Sequence, residues 1–319
     1  MRFWTFIVSL LLIGGGMTGI GGSATQGEHK VVTTLSFLGD MAKGIGEDNV
    51  EVTTLISGSV DPHNYEPTPS DLTALTEADL IITTGQEEFD GWFQDFLDDN
   101  PEFASKVFQI ESDRFLKHDP LVDELNPHYW LSPLVMKEVA TLIFEKFQDL
   151  FQISEKGLEK VQARLDSLME KINSTKKALQ GMKVVVDHPA FFYLLDLLGI
   201  ERVGAIEEKE GVDPSPSHIQ DLVDLMRAEN ITQIIASEVQ AGSDVVELAS
   251  KTGARISYLN VNPTEINGTG YFKMMETNLD HILNPEDPNT KVMDTPIWTV
   301  SFVFAMVFLS GVRKRRRMI

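Results

Sequence analysis

The sequence predicts an α/β protein of two similar lobes with largely parallel sheets, joined by one long rigid helix. Three observations predict it. Strand-like and helix-like stretches alternate along the chain, the alternation recurs in the same order in the second half, and an uninterrupted amphipathic run separates the two.

In the first half, residues 31–36 (VVTTLS) are β-branched and apolar, as in a strand buried on both faces. Phe37, Leu38, Met41 and Ile45 then fall at helical spacing. Residues 50–56 form a second strand signal. Residues 67–78 (PTPSDLTALTEA) begin with a Pro and Ser cap signal and continue as a helix, and residues 79–84 (DLIITT) are a third strand. The order recurs later: strand at 183–186 (KVVV), helix at 190–198, a second Pro-x-Pro-Ser start opening a helix at 214–226, and strands at 231–236 and 254–259. The matched order favours duplication over chance similarity.

Between the halves, Leu158, Val161, Leu165, Leu168 and Ile172 make one apolar stripe within a run without proline. With Ser154 as N-cap and Gly181 just beyond the C-terminus, the run predicts a helix of about 27 residues, ~40 Å long. Such a helix suits a strut. Barely four heptads and an imperfect seam argue against a coiled-coil dimer.

The chain ends carry addresses. Arg2, the apolar run 6–13 and the small residues Gly22, Ser23 and Ala24 read as a secretory signal over 1–25. Residues 297–312 are uncharged and are followed at once by Arg313-Lys314-Arg315-Arg316-Arg317. Sixteen residues are short against the ~20 that span a bilayer, but snorkelling cations and local thinning cover the deficit. The basic flank predicts a C-terminal anchor at 297–319 with a cytoplasmic tail. The expected organisation is therefore a signal at 1–25, a first lobe at 26–153, the linking helix at 154–181, a second lobe at 182–283, a proline-rich stalk at 284–296, and the anchor. The lobes and stalk are expected outside the cell membrane.

The formal charge is −21, and the terminal cations leave −27 on the segment between them. Such a surface repels nucleic acid. The chain has no cysteine, which excludes thiolate metal sites, Cys-based catalysis and lipid attachment through an N-terminal Cys.

Of seven histidines, His29, His118, His218 and His281 read as surface residues. Three others sit differently, two of them (His63 and His188) where ligands bind in α/β sheets. His63 (Asp61-Pro-His-Asn-Tyr-Glu-Pro-Thr-Pro) follows a strand. His128 (Asn126-Pro-His-Tyr-Trp-Leu-Ser-Pro) precedes a helix. His188 (Asp187-His-Pro-Ala-Phe) lies where a strand meets a helix. Imidazole is the natural borderline-soft ligand in a chain without Cys, and a neighbouring Asp or Asn can hold the second ring nitrogen. A metal site between the lobes follows.

With these motifs the chain resembles the solute-binding proteins of zinc and manganese ABC importers, the A-I cluster that includes streptococcal lipoprotein adhesins. The resemblance covers about residues 30–283, and the segment from Asp61 to Leu72 is its most specific part. It implies a metal receptor that delivers its ion to a membrane permease. It carries three ligands onto His63, His128 and His188, with little lobe movement because the helix is stiff. Members often place an Asp where this chain has Asn260. Asn260 is thus the expected fourth ligand, with water or Glu238 as alternatives. Members that bind zinc often carry a long His-rich loop, whereas residues 113–126 here are short and hold only His118. Three imidazoles without a matching carboxylate favour Zn2+ over Mn2+. Two other readings are an extracellular three-His zinc hydrolase, with Glu66 or Glu238 as base, and a surface adhesin retaining the fold. No His-Glu-x-x-His is present.

Overall fold

The computed structural model describes residues 28–207 and 212–288. The expected signal segment, the uncharged run 297–312 and its basic tail lie outside these residues. Among the described residues, no helix is long and apolar enough to cross a membrane.

The first lobe runs β1 (His29–Leu35), α1 (Ser36–Gly46), β2 (Val50–Ile56), α2 (Pro69–Glu77), β3 (Leu80–Thr83), α3 (Glu87–Asp99) and β4 (Val107–Gln109). A short hairpin follows, β5 (Lys117–Asp119) against β6 (Glu124–Asn126), and then α4 (Pro133–Phe151). α5 (Lys156–Lys176) links the lobes. The second lobe runs β7 (Lys183–Val186), α6 (Phe192–Leu198), β8 (Glu201–Ala205), α7 (Pro216–Glu229), β9 (Gln233–Ser237), α8 (Ser243–Thr252), β10 (Arg255–Leu259) and α9 (Gly270–Leu283).

The two sheets are parallel, with orders β2-β1-β3-β4 and β8-β7-β9-β10. Strand for strand these orders are the same, which is the duplication seen in the sequence pattern. The repeated Pro-x-Pro-Ser start opens α2 and α7, which follow the equivalent strands β2 and β8. Thr68 and Asp71 form a reciprocal capping box on α2, and Ser215 caps α7 by accepting from His218 N–H.

α5 is shorter than the expected 154–181 helix. It spans 21 residues, roughly 31 Å at 1.5 Å per residue. Ser154 does not cap it, and after Lys176 the chain turns towards Gly181, which has φ +79°. The five stripe residues are all buried, as expected. They join a hydrophobic core that runs through both lobes, from Leu35 and Phe37 to Leu195, Tyr271 and Met275. The lobes thus share one core in addition to the strut.

Polar bridges tighten this union. The buried Asp40 of α1 accepts N–H groups of Asn267, Gly268 and Tyr271 at the start of α9. Arg202 of β8 makes a bidentate pair with the fully buried Asp119 of β5, at 2.7 and 2.8 Å. Tyr271 donates its hydroxyl to Trp130 O, and Trp130 Nε1–H donates to Val261 O. Gly268, with φ +78°, lies so close to α1 that a Cβ there would stand 2.8 Å from Gly44 Cα.

The first residues of the expected stalk, from 284, are tied to the second lobe. Glu286 exchanges both backbone hydrogen bonds with Ile256 on the outer edge of β10. An edge strand with unpaired amides and carbonyls takes up the nearest extended segment.

Candidate metal centre

The ends of the strands and the segment before α4 bring three imidazoles together. His63, His128 and His188 each offer one ligand atom, and these atoms lie within 4.8 Å of one another. Their ring centroids are 5.5 to 6.2 Å apart. In a tetrahedral zinc site with ~2.05 Å bonds, ligand nitrogens stand about 3.4 Å apart. Each imidazole would therefore move by less than about 1 Å to close on an ion.

Local sequence sets each ring. His63 sits in a one-turn 3-10 helix, Pro62–Asn64, where the Asp61 side chain accepts its backbone N–H. Asp61 also accepts from Gln240 of the second lobe at 3.4 Å. Phe89 packs on both His63 and His128, at 5.0 and 5.5 Å.

His128 is held by Asn126. The Asn126 amide donates to Asp119 and to Pro189 O, which turns its oxygen towards His128. That oxygen lies 3.2 Å from Nδ1 and also accepts the His128 backbone N–H. Because it can only accept, Nδ1 carries the proton and Nε2 keeps the lone pair. Asp119 is itself fixed by Arg202, so the inter-lobe ion pair and the imidazole belong to one hydrogen-bonded chain.

His188 is held by a residue that the sequence reading did not single out. Its Nδ1 lies 2.9 Å from Glu207 Oε2, which makes Nε2 the lone-pair atom. The neighbouring Asp187 does not reach the ring nitrogen. Instead it accepts the His188 backbone N–H and, across the sheet, Ser237 N–H. Burial pushes its carboxyl up to about 6. Glu207 follows β8, the counterpart of the strand before His63, whereas His188 follows β7, the counterpart of β1. His63 and Glu207 thus both lie in the segments that follow equivalent strands, β2 and β8.

Burial favours the neutral form of two of the rings. Burial lowers the pKa of His63, reinforced by His188 and opposed by Asp61 and Glu207. His128 is pushed well below the usual range by burial, then by His188 and His63.

Asn260, the expected fourth ligand, is held by its backbone. It ends at the tip of β10, where Asn278 accepts its N–H and donates to its carbonyl. It lines a neighbouring cavity with Asn262, Thr264 and Lys273. Glu238 and Glu66 are exposed and do not line the imidazole cavity. The remaining histidines are occupied elsewhere. His29 stacks on Phe151, His118 pairs with Asp123, His218 bonds Ala205 O, and His281 bonds Tyr258 O.

Two duplicated lobes locked on a common core, with buried imidazoles between them, define a metal-ion solute-binding receptor of the ABC-importer type, not an enzyme. The family model for the periplasmic zinc-uptake complex component A, ZnuA, matches residues 31–284, and the chain belongs to that family. It is 27% identical over 295 residues to the high-affinity zinc uptake system protein ZnuA of Bacillus subtilis, covering 85% of this chain and 92% of that protein. It is 26% identical over 290 residues to the manganese-binding lipoprotein MntA of Halalkalibacterium halodurans, covering 87% and 95%. A crystal structure of a ZnuA deletion mutant with zinc bound shares the fold. Its TM-score is 0.70 at 24% identity, over 82% of this chain and 98% of that one.

Proposed function

We propose that this chain captures zinc outside the cytoplasm and hands it to an ABC importer, with His63, His128 and His188 as ligands. The observation that carries the reading is the donor set: three imidazoles, His63 half-buried and His128 and His188 buried, within 4.8 Å, with no carboxylate in that group among the described residues. A borderline ion such as Zn2+ suits three nitrogens, whereas Mn2+ favours oxygen-rich, higher-coordinate sites. Relatives named for each metal exist, so the donor set is the basis for choosing between them. Asn260 or a water molecule supplies the fourth ligand. Replacing Asn260 by Asp strengthens binding in the first case and leaves it unchanged in the second.

The test is metal analysis of the purified protein with and without His63→Ala, His128→Ala and His188→Ala. One zinc per wild-type chain and its loss in each variant is the expected result. Zinc retained in any one of them removes that residue from the set. The chain has no Cys to carry the lipid that MntA is named for, so residues 297–319 are proposed as the anchor. A chain ended at Asn289 is then released from the membrane fraction; retention contradicts the anchor.

A further inference from the structure

A second cavity, of about 190 Å³, opens beside α9, and none of the three metal-site histidines lines it. One wall is a single face of α9: Gly270, Lys273, Met274 and Thr277 follow at spacings of three and four residues. The other wall is the segment after β10, which contributes the alternate residues Asn260, Asn262 and Thr264, and then Glu265. This segment lies hard against the helix start, since a Cβ on Gly270 would stand 2.0 Å from Glu265 O. Its backbone is fixed. Asn278 takes both the N–H and the carbonyl of Asn260, and Trp130 takes Val261 O. The wall is therefore formed before any ligand arrives.

One buried group on this wall calls for a ligand. Asn262 is 4% exposed, yet its Oδ1 is buried with no hydrogen-bond partner among the described residues. Burying an amide oxygen without a donor is costly, and folded proteins rarely leave one so. Beside it the cavity carries one charge of each sign. Lys273 pairs with Glu265, with side chains 67% and 46% exposed. So exposed a pair contributes little to stability and opens readily. The Lys273 ammonium has three donors and spends one on Glu265, close to the positive end of α9. The Glu265 carboxylate accepts from Lys273 and Asn267 and keeps further lone pairs.

We propose that this cavity binds a small zwitterion, a free α-amino acid, with its carboxylate on Lys273 and its ammonium on Glu265 and Asn262 Oδ1. The site is independent of the metal reading. Its two charges cancel, so a simple anion meets Glu265 and a simple cation meets Lys273, whereas a zwitterion satisfies both. Asn262 Oδ1 only accepts, and an ammonium offers it a charged N–H donor. The volume is below the roughly 300–1,000 Å³ of sites for drug-sized ligands, which limits the amino acid to a short side chain. The Thr264 and Thr277 hydroxyls line the same space and can donate or accept at either end of the ligand.

The test is calorimetric titration of the intact chain, metal-free and zinc-loaded, with glycine, L-alanine and L-serine. Acetate, methylammonium and glycerol serve as single-charge and neutral controls. The variants are Lys273→Met, which alters only an exposed side chain and leaves the core untouched, and Asn262→Leu, which removes the orphaned oxygen. The expected result is amino-acid binding in both metal states, no binding of the controls, and affinity lowered about 10-fold or more in each variant, the loss of one hydrogen bond to a charged group. Zinc content stays at the wild-type value in both variants. No amino-acid binding at millimolar concentration overturns the site, as does unchanged affinity in Lys273→Met. Acetate or glycerol binding as tightly as glycine overturns the zwitterion. Binding that requires zinc and disappears in His128→Ala is chelation at the imidazole centre, which overturns the amino-acid site and leaves the metal reading standing. Amino-acid binding by a wild-type chain that takes up no zinc supports this site and overturns the metal reading alone.

Discussion

Asp40→Asn tests how the lobes are held together. Asp40 is fully buried on α1, and its two oxygens take three backbone N–H groups from the second lobe. Oδ1 accepts from Asn267 at 3.0 Å and Gly268 at 2.8 Å; Oδ2 accepts from Tyr271 at 2.8 Å. Tyr271 is the second residue of α9, so the carboxylate also faces the positive end of that helix. Hydrogen bonds to a charged group contribute about 1.5–3 kcal/mol each and neutral ones about 1 kcal/mol. Asparagine keeps one oxygen for the two loop amides and turns an NH2 group against Tyr271 N–H. Two bonds weaken, one is lost and a buried donor is left facing a donor. The expected cost is about 3–4 kcal/mol. The contact of Gly44 with Gly268 leaves little room for relaxation or for a rescuing water. Urea unfolding of the metal-free protein, followed by circular dichroism, measures it. A loss below about 1 kcal/mol would show that Asp40 does not join the lobes and that the shared core suffices.

Three other outcomes follow from the same geometry. Arg202→Met leaves Asp119 buried without its cation and costs about 3–5 kcal/mol in unfolding, whereas the double change with Asp119→Leu restores much of it; equal losses in both would deny the pair its role. Because one core and several polar bridges cross the interface, spin labels on α2 and α7 should move by no more than about 2 Å on metal loading; a hinge closure of domain scale would contradict the strut. His63 and His128 titrate below the usual 6.5 because burial disfavours their charged forms, so both are neutral at pH 7 and metal affinity holds as pH falls to 6.5, then drops as protons occupy the ligand nitrogens. Titrations at successive pH values showing the loss already complete above 6.5 would refute the buried-imidazole account.

Much of this arrangement was legible because local chemistry and global fold agree. The β-branched run at 31–35 is a central strand, and the stripe from Leu158 to Ile172 is the buried face of α5. The repeated Pro-x-Pro-Ser starts open equivalent helices. Elements that depart from such patterns were missed. β8 carries Glu201 and Arg202, which hide its strand character, and β4 has only three residues. The linking helix was over-extended because nothing in its composition marks the turn after Lys176. The role of Asn126 at His128 was readable from two-residue spacing. Glu207 at His188 was not, because that contact spans 19 residues and arises only when β7 and β8 pair. The Asp119–Arg202 pair likewise joins positions 83 residues apart.

The central claim is that three imidazoles, without a carboxylate, select the ion. Its most direct measurement is equilibrium competition between Zn2+ and Mn2+ for the wild-type protein at pH 7, with bound metal determined by elemental analysis. The account predicts that zinc occupies the site when both ions are present at equal free concentration, and that His188→Glu shifts the preference towards manganese by adding an oxygen donor. Manganese occupying the wild-type site under those conditions would contradict it.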